Sequence, residues 1–412
     1  MAYYHRGGRF AVRSNRGGMR GRGRGGQSNG YFSSSSDNID SDNRFKVHRP
    51  QIYRGAAPLV GQGQILGGYS VDEDRNFGHD RTMLKFLDRK YLPEDGEDMK
   101  VNMDLNRAAE KACLYSGSSE QNFHNFLQWI LNNKKLLMPD PNTPRLDVDF
   151  IGVRNNLSII MKTPYNYKEA WTLYATEFNG TVYMMRQQKL EADSFAQQKG
   201  GLLENFQVWG HKFEQYMSGG DPDDGVQANE EYRVAMKLMV DQTSLLFAPE
   251  VDCADPYLYE EDFKDLSSFV LVKCCRELKE PHKLKNHKRF KLLQWWIENK
   301  LSGIPRIVVG YRNDDGVVHT LQHLKTDDLP EISEGEWEPD VCVNFLVKFL
   351  AFVKSKVAEE PQVIYRFDRK EFGNIYCTKL NDSSMVRFLP SWYTEEIFSK
   401  DNDSDNDSET EY

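Results

Sequence analysis

Hydrophobic positions recur at helical spacing in several stretches of the chain. Phe123, Phe126, Leu127, Ile130 and Leu131 follow the i, i+3, i+4, i+7, i+8 pattern of an amphipathic helix, which ends at Asn132-Asn133 ahead of Pro139 and Pro141. Leu292, Leu293, Trp296 and Leu301 predict a second helix, Val341, Phe345, Phe349, Phe352 and Val353 a third, and the residues from Val234 to Val240 read as helix-like. Between them the pattern changes to the alternation of strands. From Leu146 to Thr163, Val148, Phe150 and Ile151 precede Arg154, and Leu157, Ile159 and Met161 follow it, which puts Arg154 in a strand. Asn179-Gly180 predicts a turn feeding Thr181 to Met185, and Leu245 to Asp252 and Phe269 to Lys273 read as two short strands. Ile304 to Arg312 and Val317 to Leu321 flank Asn313-Asp314-Asp315-Gly316 as a hairpin. Gly61-Gln62-Gly63 and Gly67-Gly68 lack the spacing and the strand-to-helix context of a dinucleotide fingerprint, so they are expected in turns.

Composition changes this picture mainly at the ends. The chain has 412 residues, 39% of them hydrophobic, enough for a substantial core. Its net charge of -9 hides a segregated distribution, because residues 1 to 30 hold seven arginines and no acid while residues 401 to 412 hold six acids and no base. The expected organisation is a disordered Arg/Gly-rich and Ser/Asp-rich tail over residues 1–44, a single folded domain over 45–398, and a disordered acidic tail over 399–412. The Arg/Gly segment suits either RNA contact or a solubilising role. Six cysteines (Cys113, Cys253, Cys274, Cys275, Cys342 and Cys377) without CxxC spacing point to reduced, buried thiols. The N-terminus is not apolar and no stretch approaches a membrane span, so an intracellular soluble protein is expected.

The candidate chemistry centres on Glu250-Val251-Asp252. Side chains two apart on a strand share a face, so Glu250 pairs with Asp252, and Lys273 with position 271. With Glu214, these residues form a constellation of three acids and one lysine that could hold Mg²⁺ and position water for hydrolysis of a phosphate ester or anhydride. Strand-edge or turn acids are the alternative reading. No Ser/His/Asp arrangement, Walker loop or HExxH motif competes, and His211 and His319 read as lone structural histidines. Between Arg276 and Lys291 lie seven Lys/Arg and two His against two acids, which suits either a polyanionic ligand or a solvated helix face.

Taken together, a series of ordered blocks closely resembles the decapping exoribonuclease (DXO) family. They are Arg154 before Thr163-Pro164-Tyr165, GHKFEQY (Gly210 to Tyr216), LLFxxEVDC (Leu245 to Cys253), the Val272-Lys273 strand, KLLQWW (Lys291 to Trp296), GIPRIVVGYR (Gly303 to Arg312), WEPDVCVNF (Trp337 to Phe345) and FLPSWY (Phe388 to Tyr393). The resemblance implies a mixed α/β (α+β) fold with two β-sheets, flanking helices and a PD-(D/E)XK nuclease-like core. It implies hydrolysis of incomplete or non-standard caps at RNA 5′ ends, with 5′ to 3′ exoribonuclease activity in many members. Carried over by position, Glu214 and Asp252 would ligate a divalent metal, Glu250 would hold metal or its water, Lys273 would orient the nucleophile or stabilise developing charge, and Arg154 would contact the RNA backbone. The expected cofactor is Mg²⁺, or Mn²⁺, as two ions. RNA 5′ ends are the expected partner, a larger 5′ to 3′ exonuclease is a partner by family analogy alone, and the arginine-rich tail suits a nuclear protein.

Three positions depart from the family pattern. Leu271 stands where the family has a metal-ligating Glu, Glu298 where it has an RNA-contacting Gln, and Asn155 where a glycine usually follows the motif arginine. Two readings remain open: decay to an RNA-binding pseudoenzyme, or compensation in which Glu298 restores the fourth carboxylate as a metal or substrate contact.

Overall fold

A computed structural model of the chain describes residues 43–94, 96–138, 140, 145–186, 202–259, 265–381 and 389–399. Its strands are β1 (Arg44–Phe45), β2 (Gln64–Val71), β3 (Phe77–Gly78), β4 (Asp98–Asp104), β5 (Phe150–Ile151), β6 (Trp171–Phe178), β7 (Thr181–Arg186), β8 (Glu231–Val240), β9 (Thr243–Phe247), β10 (Cys253–Ala254), β11 (Phe269–Arg276), β12 (Arg306–Arg312), β13 (Val317–Lys325), β14 (Tyr365–Arg369) and β15 (Ile375–Lys379). The larger sheet has the order β1-β15-β14-β6-β7-β5-β9-β8-β2-β3 and the smaller one β10-β11-β12-β13-β4. The principal helices are α1 (Ser119–Asn132), α2 (Arg154–Lys162), α3 (Leu202–Met217), α4 (Pro281–Asn286), α5 (Leu293–Ser302), α6 (Pro339–Val357) and α7 (Ser391–Glu396). The mixed α+β class with two sheets is the one expected. The terminal segments over residues 1–42 and 400–412, whose disorder was expected, lie outside the described residues, as does Phe388.

Three apolar clusters define the layers. The main core joins the inner faces of both sheets (Leu173, Val182, Leu245, Leu271, Ile307, Val309) to α2, α5 and α6 through Leu157, Ile160, Trp296, Phe345 and Phe349. A second cluster packs α1, through Phe123, Phe126, Trp129 and Ile130, with Tyr393 and Ile397 against the other face of the larger sheet. The third seats Trp209, Phe213 and Met217 of α3 on Val270, Val272 and Val308 of the smaller sheet. Positions 209, 213 and 217 are one helical stripe, so this burial fixes which face α3 turns away from the sheet. Gly310 of β12 makes the close approach possible, because a Cβ there would lie 2.5 Å from the Phe213 ring.

β11 and β12 pair in parallel, with Leu271 opposite Ile307 and Lys273 opposite Val309. Parallel neighbours need a long crossover, which is why residues 277–305 carry α4, a π-helical turn (His287–Leu292) and α5 rather than a tight loop. α1 begins at Ser118, whose Oγ accepts a hydrogen bond from the Gln121 N–H at 3.0 Å, and its core stripe is the expected one. The hairpins at Asn179-Gly180 and residues 313–316 also form as expected.

Five expectations need correction. The segment around Arg154 is strand only at Phe150–Ile151, and Arg154 opens α2, where Asn156 to Met161 are all buried. A short helix buried all round shows no one-sided stripe, so alternation was a misleading cue. Val234 to Val240 is strand β8, an apolar run because it lies between β2 and β9 inside the sheet. The strand from Leu245 ends at Phe247, before Pro249, and residues 248–252 instead cross from the larger sheet to β10 of the smaller one. Gly67 and Gly68 are strand rather than turn residues, at a register shift in β2. At Gly68 a Cβ would lie 2.7 Å from Tyr232 Cζ and 2.9 Å from the Arg233 carbonyl oxygen. The cysteines are all free, but Cys113, Cys274 and Cys275 are half-buried rather than buried.

Gly68→Ala is expected to lower the free energy of unfolding by about 1–3 kcal/mol, because backbone and a packed tyrosine bound the space. Urea denaturation measures this, and an unchanged midpoint would contradict the close packing of β2 on β8.

Candidate active site

Four of the candidate side chains reach one place from three stretches of chain. Glu214 comes from α3, Glu250 and Asp252 from the crossover between sheets, and Lys273 from β11. Lys212 anchors this part of α3 by donating to the carbonyl oxygens of Pro222 and Asp224 at 3.1 and 2.7 Å. With Phe213 held against the smaller sheet, Glu214 and His211 share another face of α3, three residues apart, and His211 Nδ1 lies 3.0 Å from Glu214 Oε2. Gly210 lies beside them, and a Cβ there would meet nothing within 4 Å, so packing does not require a glycine at this interior helical position.

The crossover keeps the alternation of a strand and still meets β8 at one antiparallel bridge, Glu250 opposite Arg233. Val251 is buried in the main core while Glu250 and Asp252 are only partly buried. Val251 N–H donates to the Tyr232 carbonyl at 3.0 Å, and Val234 N–H donates to that of Pro249 at 3.1 Å. Asp252 Oδ2 accepts from the Val272 N–H at 2.7 Å and from Lys273 Nζ at 3.2 Å, tying the crossover to β11. Behind Glu250 runs a buried ionic string in which Glu231 is bonded to both Arg75 and Arg233, and Arg233 Nη1 donates to the Ala248 carbonyl at 3.1 Å.

The charges act on one another. Burial and repulsion from Glu231, Asp252 and Glu214, opposed by Arg233, push the Glu250 carboxyl up to about 7. Burial also raises Asp252, against the pull of Lys273. Glu214 moves the other way: burial would raise it, but the His211 hydrogen bond and the charges of His211, Lys273 and Lys85 outweigh that. For Lys273, burial would lower the pKa, but Asp252, Glu298 and Glu214 hold it well above the usual lysine value. Lys273 is therefore a fixed cation and not a proton acceptor near neutral pH.

Arg154 and Glu298 both act on the charge of Lys273. Arg154 Nη1 lies 3.3 Å from Ser302 Oγ, and its Nε is buried without a hydrogen-bond partner. Glu298 accepts a hydrogen bond from Gln294 Nε2, and although burial raises its pKa, Arg154, Lys273, Gln294 and Lys162 together hold it below the ordinary carboxylate range. All six candidates thus belong to one electrostatic neighbourhood, in which the charge of Lys273 acts on both Asp252 and Glu298. Leu271, on the same strand face as Lys273, is 1% exposed and belongs to the main core.

Sequence reasoning missed His211 as the partner of Glu214, the Arg75-Glu231-Arg233 string and Lys85. The i, i+3 spacing of His211 and Glu214 was the available signal once the segment is helical; the string had none, since Arg75 and Glu231 are far apart in the chain. The cationic stretch from Arg276 to Lys291 is largely paired locally, with Arg276 on Asp314, Lys279 on Glu277, Lys283 on Glu280, Lys285 on Glu336 and Lys288 on Glu334.

The donor set fits a hard divalent cation by its chemistry, three carboxylates whose mutual repulsion raises the pKa of Glu250. As they stand the side chains are drawn to protein partners instead, and among the described residues no group of three or more His, Cys, Asp or Glu converges closely enough to hold a metal ion.

His211→Ala leaves Glu214 without its nearest partner and is expected to cost about 1–3 kcal/mol at pH 6. The lowered Glu214 pKa makes its share of this stability vanish as pH falls through the folded value, and the raised His211 pKa makes its share vanish as pH rises through that one. Urea titrations across pH should therefore show the wild-type advantage greatest in the window between them; an advantage independent of pH would contradict the ion pair.

Comparison with known proteins identifies the family of the chain. The model of the RAI1-like PD-(D/E)XK nuclease family matches residues 62–394. The Decapping and exoribonuclease protein of Xenopus laevis is 30% identical over 362 residues, covering 84% of this chain and 88% of that protein. Its Homo sapiens counterpart is 29% identical over 357 residues, with the same coverage. Among solved structures, Candida albicans Rai1 in complex with pU5-Mn2+ superposes with a TM-score of 0.71 at 18% identity, covering 86% of this chain and 98% of that one. S. pombe Rai1 in complex with 3'-FADP gives 0.63 at 20% identity, covering 82% and 99%. The chain belongs to the RAI1-like PD-(D/E)XK nuclease family.

Proposed function

We propose that the protein is a divalent-metal-dependent hydrolase of RNA 5′ ends, which removes incomplete or non-standard caps (a 5′-triphosphate, an unmethylated cap, an NAD cap) and degrades RNA from the 5′ end. The observation that carries this reading is the gathering of Glu214, Glu250, Asp252 and Lys273 from three chain segments into one charged cluster. The names of the vertebrate relatives support it, as does the pU5-Mn2+ complex of the Candida relative.

Bound divalent ions, Mg²⁺ or Mn²⁺ and two in number, would neutralise charge on the phosphoryl oxygens and make water a better nucleophile. Glu214, Glu250 and Asp252 would supply the oxygen ligands for them. Lys273, kept charged by its acidic neighbours, stabilises negative charge that builds on the phosphoryl group. Glu250 would hold a metal ion or the water bound to it. Arg154 brings its guanidinium charge to an RNA phosphate. Glu298, placed against Arg154 and Lys273, replaces part of the negative charge lost with an apolar residue at position 271, and holds those two cations in place.

The test is release of cap or nucleotides from 5′-triphosphate, unmethylated-cap and NAD-capped RNAs in Mn²⁺ and Mg²⁺. Asp252→Ala is expected to lower turnover by more than about a hundredfold, and Glu298→Gln by about tenfold. Wild-type RNA binding without turnover in either metal would instead favour a pseudoenzyme, and full activity of Glu298→Gln would remove the compensating role of that residue.

Metal affinity should depend on pH through Glu250. Its carboxyl must lose a proton to ligate, so Mn²⁺ binding weakens by up to about tenfold per pH unit below 7 and levels off above it. Calorimetry in two buffers of different ionisation enthalpy should detect a proton released on binding at pH 6.5. Affinity that does not change between pH 6 and pH 8 would contradict the raised pKa.

A further inference from the structure

A second cavity, of about 760 Å³, opens beyond the C-terminal end of α2 and is lined in part by Arg49, Arg289, Arg369, Tyr167 and Phe372. Its charge is unbalanced. The lining acids, Glu336 and Glu338, already have cations, Lys285 at 3.5 Å and Arg54 at 2.6 Å. Arg49 and Arg289 have no carboxylate partner among the described residues, and Arg289 lies over the Phe290 ring at 5.1 Å. Arg369 is 2% exposed; its Nη1 donates to the carbonyl oxygens of Asn166 and Glu169 at 3.0 and 2.6 Å, and its Nε is buried without a partner. A guanidinium buried against carbonyls keeps its full charge, so the cavity wall is cationic.

Phe372 at the rim is the second observation. It sits in the left-handed region at φ 55°, where a bulky residue is strained, and its side chain is 69% exposed. The turn is held by its backbone, Phe372 N–H donating to the Tyr167 carbonyl at 2.7 Å and Gly373 N–H to that of Lys370 at 3.0 Å, which fixes the ring at the rim. An aromatic ring presented to solvent beside free guanidinium groups matches a nucleotide, the ring stacking on a base and the arginines meeting phosphate.

The cavity also connects to the carboxylate site. Glu298 is bonded to Gln294, Gln294 to Lys162 at 3.1 Å, Lys162 to Glu169 at 3.0 Å, and the Glu169 carbonyl to Arg369. From Arg154 to Lys162 α2 advances about 12 Å at helical rise, and the cavity opens three residues further on at Tyr165, a separation of a few nucleotides. We infer that this cavity is a downstream subsite that grips the single-stranded body of the RNA while its 5′ end occupies the carboxylate cluster. The inference rests on the RNA 5′-end reading above.

The experiment compares a 5′-phosphorylated trinucleotide with an oligomer of about twelve nucleotides, using the full-length protein. Phe372→Gly removes the ring and relieves its backbone strain, so this variant folds at least as well as wild type; Arg289→Ala removes one cation. Both are expected to weaken binding of the longer RNA by about tenfold in anisotropy titrations in EDTA, and to raise its KM in Mn²⁺ with kcat unchanged. The trinucleotide should be unaffected, and Arg289→Ala should lower the salt slope for the longer RNA by about one. Equal affinity of variant and wild type for the longer RNA would overturn the subsite, as would equal losses for both lengths. A mononucleotide that binds the wild type as tightly as the longer RNA, and loses as much in the variants, would also overturn it in favour of a free-nucleotide pocket. Should the wild type hydrolyse neither RNA, the catalytic reading fails, while the anisotropy comparison still decides the subsite.

Discussion

The carboxylate of Asp252 joins the two sheets. It accepts one hydrogen bond from the backbone of Val272 and one from the side chain of Lys273, both on β11, while its own segment arrives from β9 of the other sheet. A charged acceptor held by two donors of one strand has little freedom. Val251 is thereby kept in the core and Glu250 beside Arg233, and Lys273 is held where its charge reaches Glu214 and Glu298. The site depends on this one clamp more than on any regular element.

Charge compensation explains the surroundings of the cluster. Each carboxylate has a cation of its own: His211 for Glu214, Lys273 for Asp252, Arg233 for Glu250 and Arg154 for Glu298. Pairing of this kind lets several partly buried acids coexist in a folded chain, yet it does not cancel their repulsion, and Glu250 bears the remainder as a carboxyl near neutrality. Such residual negative charge is the property a cation site requires. Leu271 bears on the same balance: an apolar side chain here extends the main core up to Lys273, and the acid that lies nearby comes instead from α5.

The Glu250-Asp252 pair was legible in the sequence because it is local. Glu250 and Asp252 kept the alternation of a strand even after β9 ended before Pro249, since Val251 must still be buried. Arg154 was expected in a strand and instead opens α2, where its charge acts on Glu298 and Lys273. The readings of Val234 to Val240 and of Leu157 to Met161 failed for a common reason: both segments are buried on more than one side, and a segment without a solvent face carries no period.

What the sequence by itself determined was the inventory: amphipathic α1, α5 and α6, the hairpins at residues 179–180 and 313–316, and the acids and lysine of the cluster, each encoded by neighbours within a few residues. Tertiary structure alone decided which charges face one another. The Arg75-Glu231-Arg233 string, the sharing of Lys273 between Asp252 and Glu298, and the arginine-lined cavity past α2 all bring together residues far apart in the chain. Their energies depend on separation and burial, and neither quantity exists until the two sheets have packed.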